Sequence, residues 1–394
     1  MKTSGILMVT GAYWPELSGG GLQCRTMIAA MRERFCFRVF TTCTDRALPS
    51  EDTVDGIPVK RVLVDVARPS SKLRAAIQTV SFFLRHQRSF DVLHLHGFSQ
   101  KSVLLVLLAR LFRKKVVITI HTAEQDEPDG VRRLGEFAYR CYASADQFIA
   151  ISPRLAENYR RAGLPIDRLA MVPNAVDTGR FTPAGAEERQ QLRAALDASA
   201  ADLPWLLFVG FFSADKAPEV LADAWLQLHR AGLRTSLLLV GANRSTYHEV
   251  DAAIAERIRI KAAAAGAQNL VRFVGEVADV ERYHRAADVF VMPSVREAFG
   301  MALIEAMASG TPVIATRIDG VTDVIVDDGR TGILVPPRDA DRLAAAIRSL
   351  LDDPAGAAVM GARARAAVMQ QYSLEAGAAR WSALYQQVIG QRAL

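Results

Sequence analysis

Short runs of Val, Ile, Leu and Phe alternate along the chain with segments whose apolar residues recur every three or four positions. The runs Ile6–Thr10, Arg38–Cys43, Asp91–Leu95, Val116–His121 and Gln147–Ile151 predict strands. Helices are predicted between them at Leu22–Arg34, Lys72–His86, Ser99–Phe112, Gly130–Tyr142 and Pro153–Ala162, the first preceded by a glycine loop, Ser18–Gly21. Strands this apolar are buried on both faces, which requires a parallel sheet covered by helices. The rhythm breaks at V-P-N-A-V-D-T-G-R-F-T-P (172–183), which reads as a linker. It then resumes with strands at Trp205–Val209, Thr235–Val240, Leu270–Val274, Asp288–Met292, Pro312–Thr316 and Gly332–Val335. The helices there are Ala217–Arg230, His248–Ala265, Gly300–Ser309 and Ala340–Leu350, and a last one, Ser373–Gln391, has no partner strand. The pattern predicts two doubly wound, Rossmann-like α/β domains at residues 1–173 and 174–372, with 373–394 a separate helical segment. Ligands bind such sheets outside the strands' carboxyl ends, so a cleft between the two domains is the expected site.

Composition agrees with two soluble domains, since 394 residues, half of them hydrophobic and 23% charged, can bury two cores without staples. Charge adds an asymmetry. Residues 1–175 carry 25 Lys and Arg against 16 Asp and Glu, and the rest 23 against 26, giving +9 and −3. The basic half is expected to meet something anionic, or merely to have a basic surface. Cys24, Cys36, Cys43 and Cys141 stand singly and read as small buried hydrophobes of a reducing compartment. The apolar run Ser102–Leu108 is far shorter than the roughly 20 residues that span a bilayer, and Met1–Thr3 leads directly into a strand. A cytoplasmic protein is the expectation.

The richest stretch is P-S-V-R-E-A-F-G-M-A-L-I-E-A-M-A-S-G-T-P-V-I-A (293–315). A strand ends at Met292, a loop holds Glu297, and a helix starts near Gly300 with Glu305 on it. The free amides of Phe299, Gly300, Met301 and Ala302 make a seat for phosphate or sugar oxygens. An acidic helix start favoured by the macrodipole is the plainer explanation for Glu297. It does not serve Glu305, a carboxylate inside an apolar helix. His94 and His96 are read as pointing to opposite faces of their strand, with His96, at its carboxyl end, the cleft candidate and a structural role the alternative. No H-x-x-x-H or metal-spaced D-x-D occurs, nor G-x-S-x-G, nor G-x-G-x-x-G, so no metal site, esterase nucleophile or dinucleotide loop is expected.

Two glutamates seven residues apart, followed by A-M-A-x-G-x-P-V-I-A, resemble the hallmark of glycosyltransferase family 4, within the GT-B fold. The likeness covers most of the chain in order: D-V-L-H-L-H-G (91–97), I-T-I-H (118–121), V-P-N-A-V-D (172–177), F-V-G-F-F-S-A-D-K (208–216) and V-R-F-V-G-E-V through A-A-D-V-F-V-M-P-S (271–294). The resemblance implies a retaining, metal-independent transfer of a hexose-type sugar from a nucleotide-diphosphate donor, with no cofactor, and a closing helix in 373–394 that crosses back to pack on the first domain. By that resemblance Glu297 holds donor-sugar hydroxyls, the backbone at Phe299–Ala302 lies beside sugar and diphosphate, and Glu305 binds the ribose. Lys216 neutralises the leaving diphosphate, and His121 lies near the sugar's outer hydroxyl and the reacting centre. Gly19, Gly20 and Gly21 approach the phosphates or the acceptor, and Asn174 falls in the matching junction motif among the substrate-binding candidates. A glycine run that only permits a turn, and a solvated surface lysine, are the plain alternatives.

One departure stands out. Where the family usually has Arg after V-G, this chain has Phe211, and Ala217 replaces the glycine after the lysine. Phenylalanine makes no charge-assisted bond to phosphate, so Arg244 or Arg296 is the candidate substitute.

The acceptor is expected to be a hydroxyl of a glycan, a lipid-linked saccharide or a small molecule, bound by the basic domain, with closure about Pro173–Asp177 bringing it to the donor. An anionic membrane surface is a candidate partner, through Lys72, Arg74, Arg85 and Arg88 with Phe82, Phe83 and Leu84, and through R-L-F-R-K-K (110–115). A core-facing helix with a solvated basic face is the alternative. Nucleic acid is not expected, because the basic residues are not interleaved with aromatics. The rival functions are a non-catalytic sugar-nucleotide or carbohydrate-binding protein and a GT-B nucleotide-sugar hydrolase or epimerase.

Overall fold

The computed structural model describes residues 4–16, 19–65, 67–122, 126–241 and 250–390. They form two compact units: unit 1 is Met1–Ala175 with Leu374–Leu394, and unit 2 is Val176–Ser373.

Unit 1 runs β1 (Gly5–Thr10), α1 (Gly19–Met31), β2 (Cys36–Cys43), β3 (Glu51–Val54), β4 (Ile57–Leu63), α2 (Pro69–His86), β5 (Val92–His96) and α3 (Gln100–Leu111). It continues with β6 (Lys115–Ile120), α4 (Pro128–Arg132), α5 (Glu136–Ala143), β7 (Gln147–Ala150), α6 (Pro153–Arg161) and β8 (Leu169–Met171). The sheet order is β3-β4-β2-β1-β5-β6-β7-β8, and only β3 runs antiparallel to its neighbour. Every residue of β1 is buried, as a strand covered on both faces requires. The β3–β4 hairpin was not expected. Its turn is Asp55–Gly56, both with positive φ (52° and 81°), the tight hairpin geometry that this dipeptide favours. The single helix expected over 130–142 is two, broken at Gly135, whose φ is +107°. Of the cysteines, Cys24, Cys43 and Cys141 are buried, whereas Cys36, at the start of β2, is exposed. Phe82 and Phe83 of α2, expected to rest on a bilayer, instead point inward at 6% and 0% exposure.

Unit 2 runs α7 (Ala186–Asp197), β9 (Trp205–Val209), α8 (Pro218–Arg230), β10 (Ser236–Val240), α9 (Ala252–Ala264), β11 (Val271–Val274) and α10 (Val280–Ala286). It continues with β12 (Val289–Met292), α11 (Met301–Ala308), β13 (Val313–Thr316), β14 (Ile333–Val335), α12 (Ala340–Asp352) and α13 (Pro354–Gln371). The described strands are all parallel, in the order β11-β10-β9-β12-β13-β14. Trp225, Phe208, Phe212, Ile258, Leu343 and Ile347 lie at the heart of one core, where the helices beside β9 and β10 meet the sheet. Helices α7, α10 and α13 were not expected. Helix α7 buries no residue at all, so it carries no apolar period to read. Helix α13 is rich in Ala, and its Gly361 lets the backbone meet Gly310, since a Cβ there would lie 2.1 Å from the Gly310 carbonyl oxygen.

The last helix, α14 (Leu374–Gly390), belongs to unit 1 and packs on α1. It buries Trp381, Leu384, Tyr385 and Val388 in the core that holds Cys24, Met27 and Ile28. A methyl at Gly377 would sit 2.7 Å from the Ala175 Cβ, so glycine sets how closely α14 approaches. The Gln23 amide, oriented to satisfy both its groups, donates to the Ala175 carbonyl at 3.0 Å and accepts from the Ala175 N–H at 3.1 Å. Asn174 and Ala175 are thereby buried in unit 1, and the boundary falls after Ala175, two residues beyond the one expected. The stretch read as a linker is itself largely buried at Val172, Val176 and Phe181.

The loop from β9 to α8 ends at Ala217, which caps the helix in the left-handed region at φ 47°, ψ 46°. An L-residue with a Cβ is disfavoured there by about 1–2 kcal/mol, part of which the greater chain entropy of unfolded glycine offsets. Ala217→Gly is expected to stabilise the protein by about 0.5–1 kcal/mol, read as a rise in the urea midpoint; an unchanged or lower midpoint contradicts the strain.

Candidate functional site

In each unit the principal candidate side chains gather where the strand order reverses. In unit 2 the chain winds from β9 outward to β10 and β11, and on the other side from β12 to β13 and β14. The loops leaving the carboxyl ends of β9 and β12 therefore diverge and leave a crevice, the topological switch point of such sheets. Lys216 lies on the first loop and Glu297 on the second. Lys216 Nζ is 2.6 Å from Glu297 Oε1, and the Ser294 hydroxyl donates to the same oxygen at 2.9 Å. The backbone repeats the tie: the Asp215 carbonyl accepts from the N–H of Val295 at 2.7 Å and of Arg296 at 3.3 Å. Glu297 is 8% exposed, and among the described residues no hydrogen bond reaches its Oε2.

Gly300 follows, with φ +108° where only glycine is comfortable, and α11 begins at Met301. The Phe299 ring is buried, edge-on to Tyr372 at 5.8 Å, so what this residue can offer a ligand is its backbone. The amides at Met301 and Ala302 sit in the first turn of α11, where the helix presents partial positive charge. Glu305 lies on the same helix, 3.8 Å from His284 Nε2. Burial pushes the Glu305 carboxyl up to about 7 and the His284 imidazole down to about 3. His284 is fully buried between Phe181 and Phe290, and among the described residues neither ring nitrogen has a hydrogen-bond partner. It is therefore a neutral ring, unable to charge-pair with Glu305.

Of the two arginines expected to stand in for the lost one, Arg296 forms an ion pair with Asp215 at 3.1 Å, and Arg244 lies outside the described residues. Phe211 is half-buried beside Phe212, a core residue.

In unit 1 the order reverses between β1 and β5. Gly19, Gly20 and Gly21 are the first turn of α1 itself rather than a loop before it, and Ser18 lies outside the described residues. A Cβ on Gly20 would lie 3.8 Å from His121 Cδ2, so the glycine turn faces that imidazole. His96 ends β5, His121 directly follows β6, and His96 Nδ1 is 2.8 Å from His121 Nε2. His94 and His96 do not point to opposite faces, as expected, but to the same one. Residues two apart on a strand share a side, and their ring centroids are 4.4 Å apart. His94 is buried beneath, 2.7 Å from the Tyr385 hydroxyl on α14 and 2.8 Å from the Thr119 hydroxyl. Burial holds all three imidazoles below their ordinary range, His121 at about 4, so they are neutral near pH 7.

Asp126, which sequence reasoning did not single out, joins the loops that follow β5 and β6. Its carboxylate accepts from the N–H of Phe98 at 3.0 Å, of Thr122 at 3.0 Å and of His121 at 3.2 Å. Gly97, at φ +87°, has no room for a Cβ, which would lie 2.9 Å from Asp126 Oδ1. Ser294, His284 and Tyr385 were missed as well. Ser294 is the last residue of a quoted motif and His284 lies within one, but only the fold reveals what they touch.

Two family models match the chain: "Glycosyl transferase 4-like domain" over residues 18–175 and "Glycosyl transferases group 1" over residues 203–353. D-inositol 3-phosphate glycosyltransferase of Kineococcus radiotolerans is 31% identical over 83% of this chain and 80% of its own. Its counterpart in Streptomyces avermitilis is 33% identical over 82% and 73%. Among solved structures, sucrose-phosphate synthase of Thermosynechococcus elongatus matches with a TM-score of 0.79 and 27% identity, covering 98% of this chain and 99% of that one. Anabaena Alr3699/HepE, solved in complex with UDP and glucose, has the same fold, with a TM-score of 0.79 at 20% identity over 97% and 99% of the two chains. The chain is a glycosyltransferase with the GT-B fold and belongs to the group 1 family, the enzymes of glycosyltransferase family 4.

Proposed function

We propose that the enzyme transfers a hexose-type sugar from a nucleotide-diphosphate donor with retention of anomeric configuration and without a metal ion. The observation that carries this reading is the Lys216–Glu297 pair, 2.6 Å apart at the switch point of unit 2 and next to the start of α11. Oε2 of Glu297 accepts from the donor sugar's hydroxyls. The amides of Gly300, Met301 and Ala302 take sugar and diphosphate oxygens, and Glu305 accepts from the ribose hydroxyls. When the bond from the anomeric carbon to the phosphate oxygen breaks, its electron pair stays on the diphosphate, where Lys216 and the helix start stabilise it. The acceptor oxygen bonds to the same face of the anomeric carbon, and its proton passes to the departing phosphate oxygen. The neutral His121 ring, held by His96, serves as a hydrogen-bond partner of the sugar and not as a fixed charge. Arg296 assists through its position beside Glu297 in place of the cation lost at Phe211.

The acceptor binds in unit 1 and carries its hydroxyl on a glycan, a lipid-linked saccharide or a small molecule; the +9 charge of residues 1–175 favours an anionic one. The relatives named for D-inositol 3-phosphate make that compound the first small molecule to try. The enzyme is cytoplasmic, and peripheral at the inner face of the membrane where its acceptor is lipid-linked.

A panel of sugar nucleotides, assayed for nucleotide release with and without acceptors, tests the transfer. Release is expected only with acceptor, to survive EDTA, and to give a product whose anomeric configuration by NMR is that of the donor. Release that ignores acceptor would make the protein a hydrolase. Lys216→Ala is expected to lower kcat by about 100- to 1000-fold, the usual cost of losing one stabiliser of developing charge. A rise in KM with kcat unchanged would restrict the lysine to ground-state binding.

Donor binding should also depend on pH through Glu305. Burial pushes its carboxyl up to about 7 in the free protein, and ribose hydroxyls donate more strongly to the ionised form. Binding below that pH is therefore coupled to loss of a proton, and a sugar nucleotide's diphosphate has no group titrating there. The donor's Kd, measured by calorimetry, is expected to be flat above about pH 7 and to rise by up to about tenfold per unit below it. Glu305→Gln should bind more weakly with a flat profile; a sloping profile in that variant would assign the proton elsewhere.

A further inference from the structure

Unit 2 has a hollow at the opposite end of its sheet from the crevice of Lys216 and Glu297. It measures about 390 Å³ and lies between α7, α12, α13 and the amino ends of β9, β12 and β13. Pro183, Pro204, Pro312 and Pro354 form much of its wall, with leucines of α12 and alanines of α13. Proline has no N–H, and amides inside helices are spent on their own turns. The wall therefore offers apolar surface and almost no hydrogen-bond donor.

The donors that do line it are arginines. Arg365, on α13, donates through Nη1 to the Phe181 carbonyl at 2.9 Å and to the carbonyl of Ala308, the last residue of α11. Among the described residues its Nε and Nη2 have no hydrogen-bond partner, and no carboxylate pairs with it. Burial lowers its pKa with no acid to offset the effect, yet a guanidinium stays protonated. Arg189, on α7, is the second, and its Nε is buried without a partner among the described residues. Asp288 is the only carboxylate among the described lining residues, and it stands 3.5 Å from Arg189. Its Oδ2 is already bonded to Arg193 at 2.5 Å and to the Trp205 N–H at 2.7 Å. Asp353, next to Pro354, is occupied in capping α13 through the Gly356 N–H at 2.9 Å. Positive charge in the hollow is thus under-neutralised.

The wall and the arginines together select an occupant. A bare inorganic anion would meet the guanidiniums and leave the apolar wall wet. A nucleotide would bring a base and a ribose whose polar edges find nothing to bond. An anion on a compact apolar body meets both demands. Two of its oxygens take the parallel Nε–H and Nη2–H of Arg365, and its body covers the prolines.

We propose that this hollow binds a small amphipathic anion, a carboxylate or phosphate monoester on an apolar body, anchored by Arg365 with Arg189 beside it. The proposal stands apart from the transfer reading, because the hollow and the donor crevice lie at opposite ends of the same strands.

Ligand-observed NMR titration of the full chain with hexanoate, hexyl phosphate, inorganic phosphate and 1-hexanol tests it. At least one of the two amphipathic anions is expected to bind about tenfold or more tightly than either control, since the controls lack the body or the charge. The tighter of the two tells carboxylate from phosphate. Arg365→Met should weaken binding about 10- to 100-fold, the usual cost of a charged hydrogen-bonding partner. Because Arg365 also holds α11, a second variant separates binding from folding. Ala358 is exposed and lines the hollow, so Ala358→Trp fills it from the rim. That variant should abolish binding and keep the wild-type melting temperature, whereas Lys216→Ala should leave the affinity unchanged. The proposal is overturned if neither anion binds, if either control binds as tightly, or if Ala358→Trp binds like wild type. Loss of binding in Lys216→Ala alone would put the anion in the donor crevice and overturn it as well.

Discussion

The ion pair between Lys216 and Glu297 ties together two loops that leave the sheet on opposite sides of the point where its winding reverses. Opposite charges at 2.6 Å attract strongly once partly withdrawn from water, yet removing one would strand the other. The sheet ladder sets the spacing of β9 and β12 themselves, and the ion pair fixes how far apart the loops that follow them stand. The Asp215 carbonyl, which accepts from Val295 and Arg296, fixes the same gap with backbone alone. Glycine at position 300 then takes a positive φ, and α11 starts at the next residue, four positions after Glu297. The lysine, the carboxylate and the helix amides are thus placed by three kinds of interaction, none of which needs a ligand to be present.

Unit 1 solves a different problem, that of holding imidazoles neutral and oriented. His94 is fully buried with both nitrogens satisfied, by Tyr385 and Thr119, so it fills space and anchors α14. His96 lies above it on the same face and hands its Nδ1 to His121. Asp126 pins the backbone of both loops through three N–H donors, which partly offset the burial that pushes its carboxyl above the ordinary range. The chain's last helix is therefore part of the floor beneath His96 and His121, which gives a physical reason for a C-terminal segment to fold with the N-terminal unit.

Much of this was legible. The strands of both sheets announce themselves because residues buried on both faces must be apolar, as in Ile6–Thr10 and Trp205–Val209. The glutamates stood out because Glu305 contradicts its apolar surroundings. What failed did so for identifiable reasons. Helix α7 has no buried face and hence no period. The β3–β4 hairpin hid between two short half-polar strands, although Asp55–Gly56 is a strong turn signal. The histidine faces were misassigned by a slip in the period-two rule itself, and Phe82 and Phe83 by reading an aromatic pair without its helical phase. Asp126 and Ser294 carried no signal, since their importance lies in partners 4 to 28 residues away for the first and in one carboxylate oxygen for the second.

The charge asymmetry looks paradoxical, because the half proposed to bind a diphosphate is the acidic one. Screening resolves it. At physiological ionic strength exposed charges more than about 8 Å apart barely feel one another, so the −3 of residues 176–394 says little about a single crevice. Besides the Arg296 proposed above, what a diphosphate would meet there is one ammonium and a helix start, the latter equivalent to about half a positive charge. Both are held in place before any ligand arrives. In unit 1 the situation is reversed, for the excess is concentrated on one stretch whose two helices, α2 and α3, contain no acid at all. Charges that close together add up over a surface instead of cancelling, and they favour an extended anionic partner over a point-like one. The two halves thus use positive charge in opposite ways, one sparsely and at fixed geometry, the other densely and across a face.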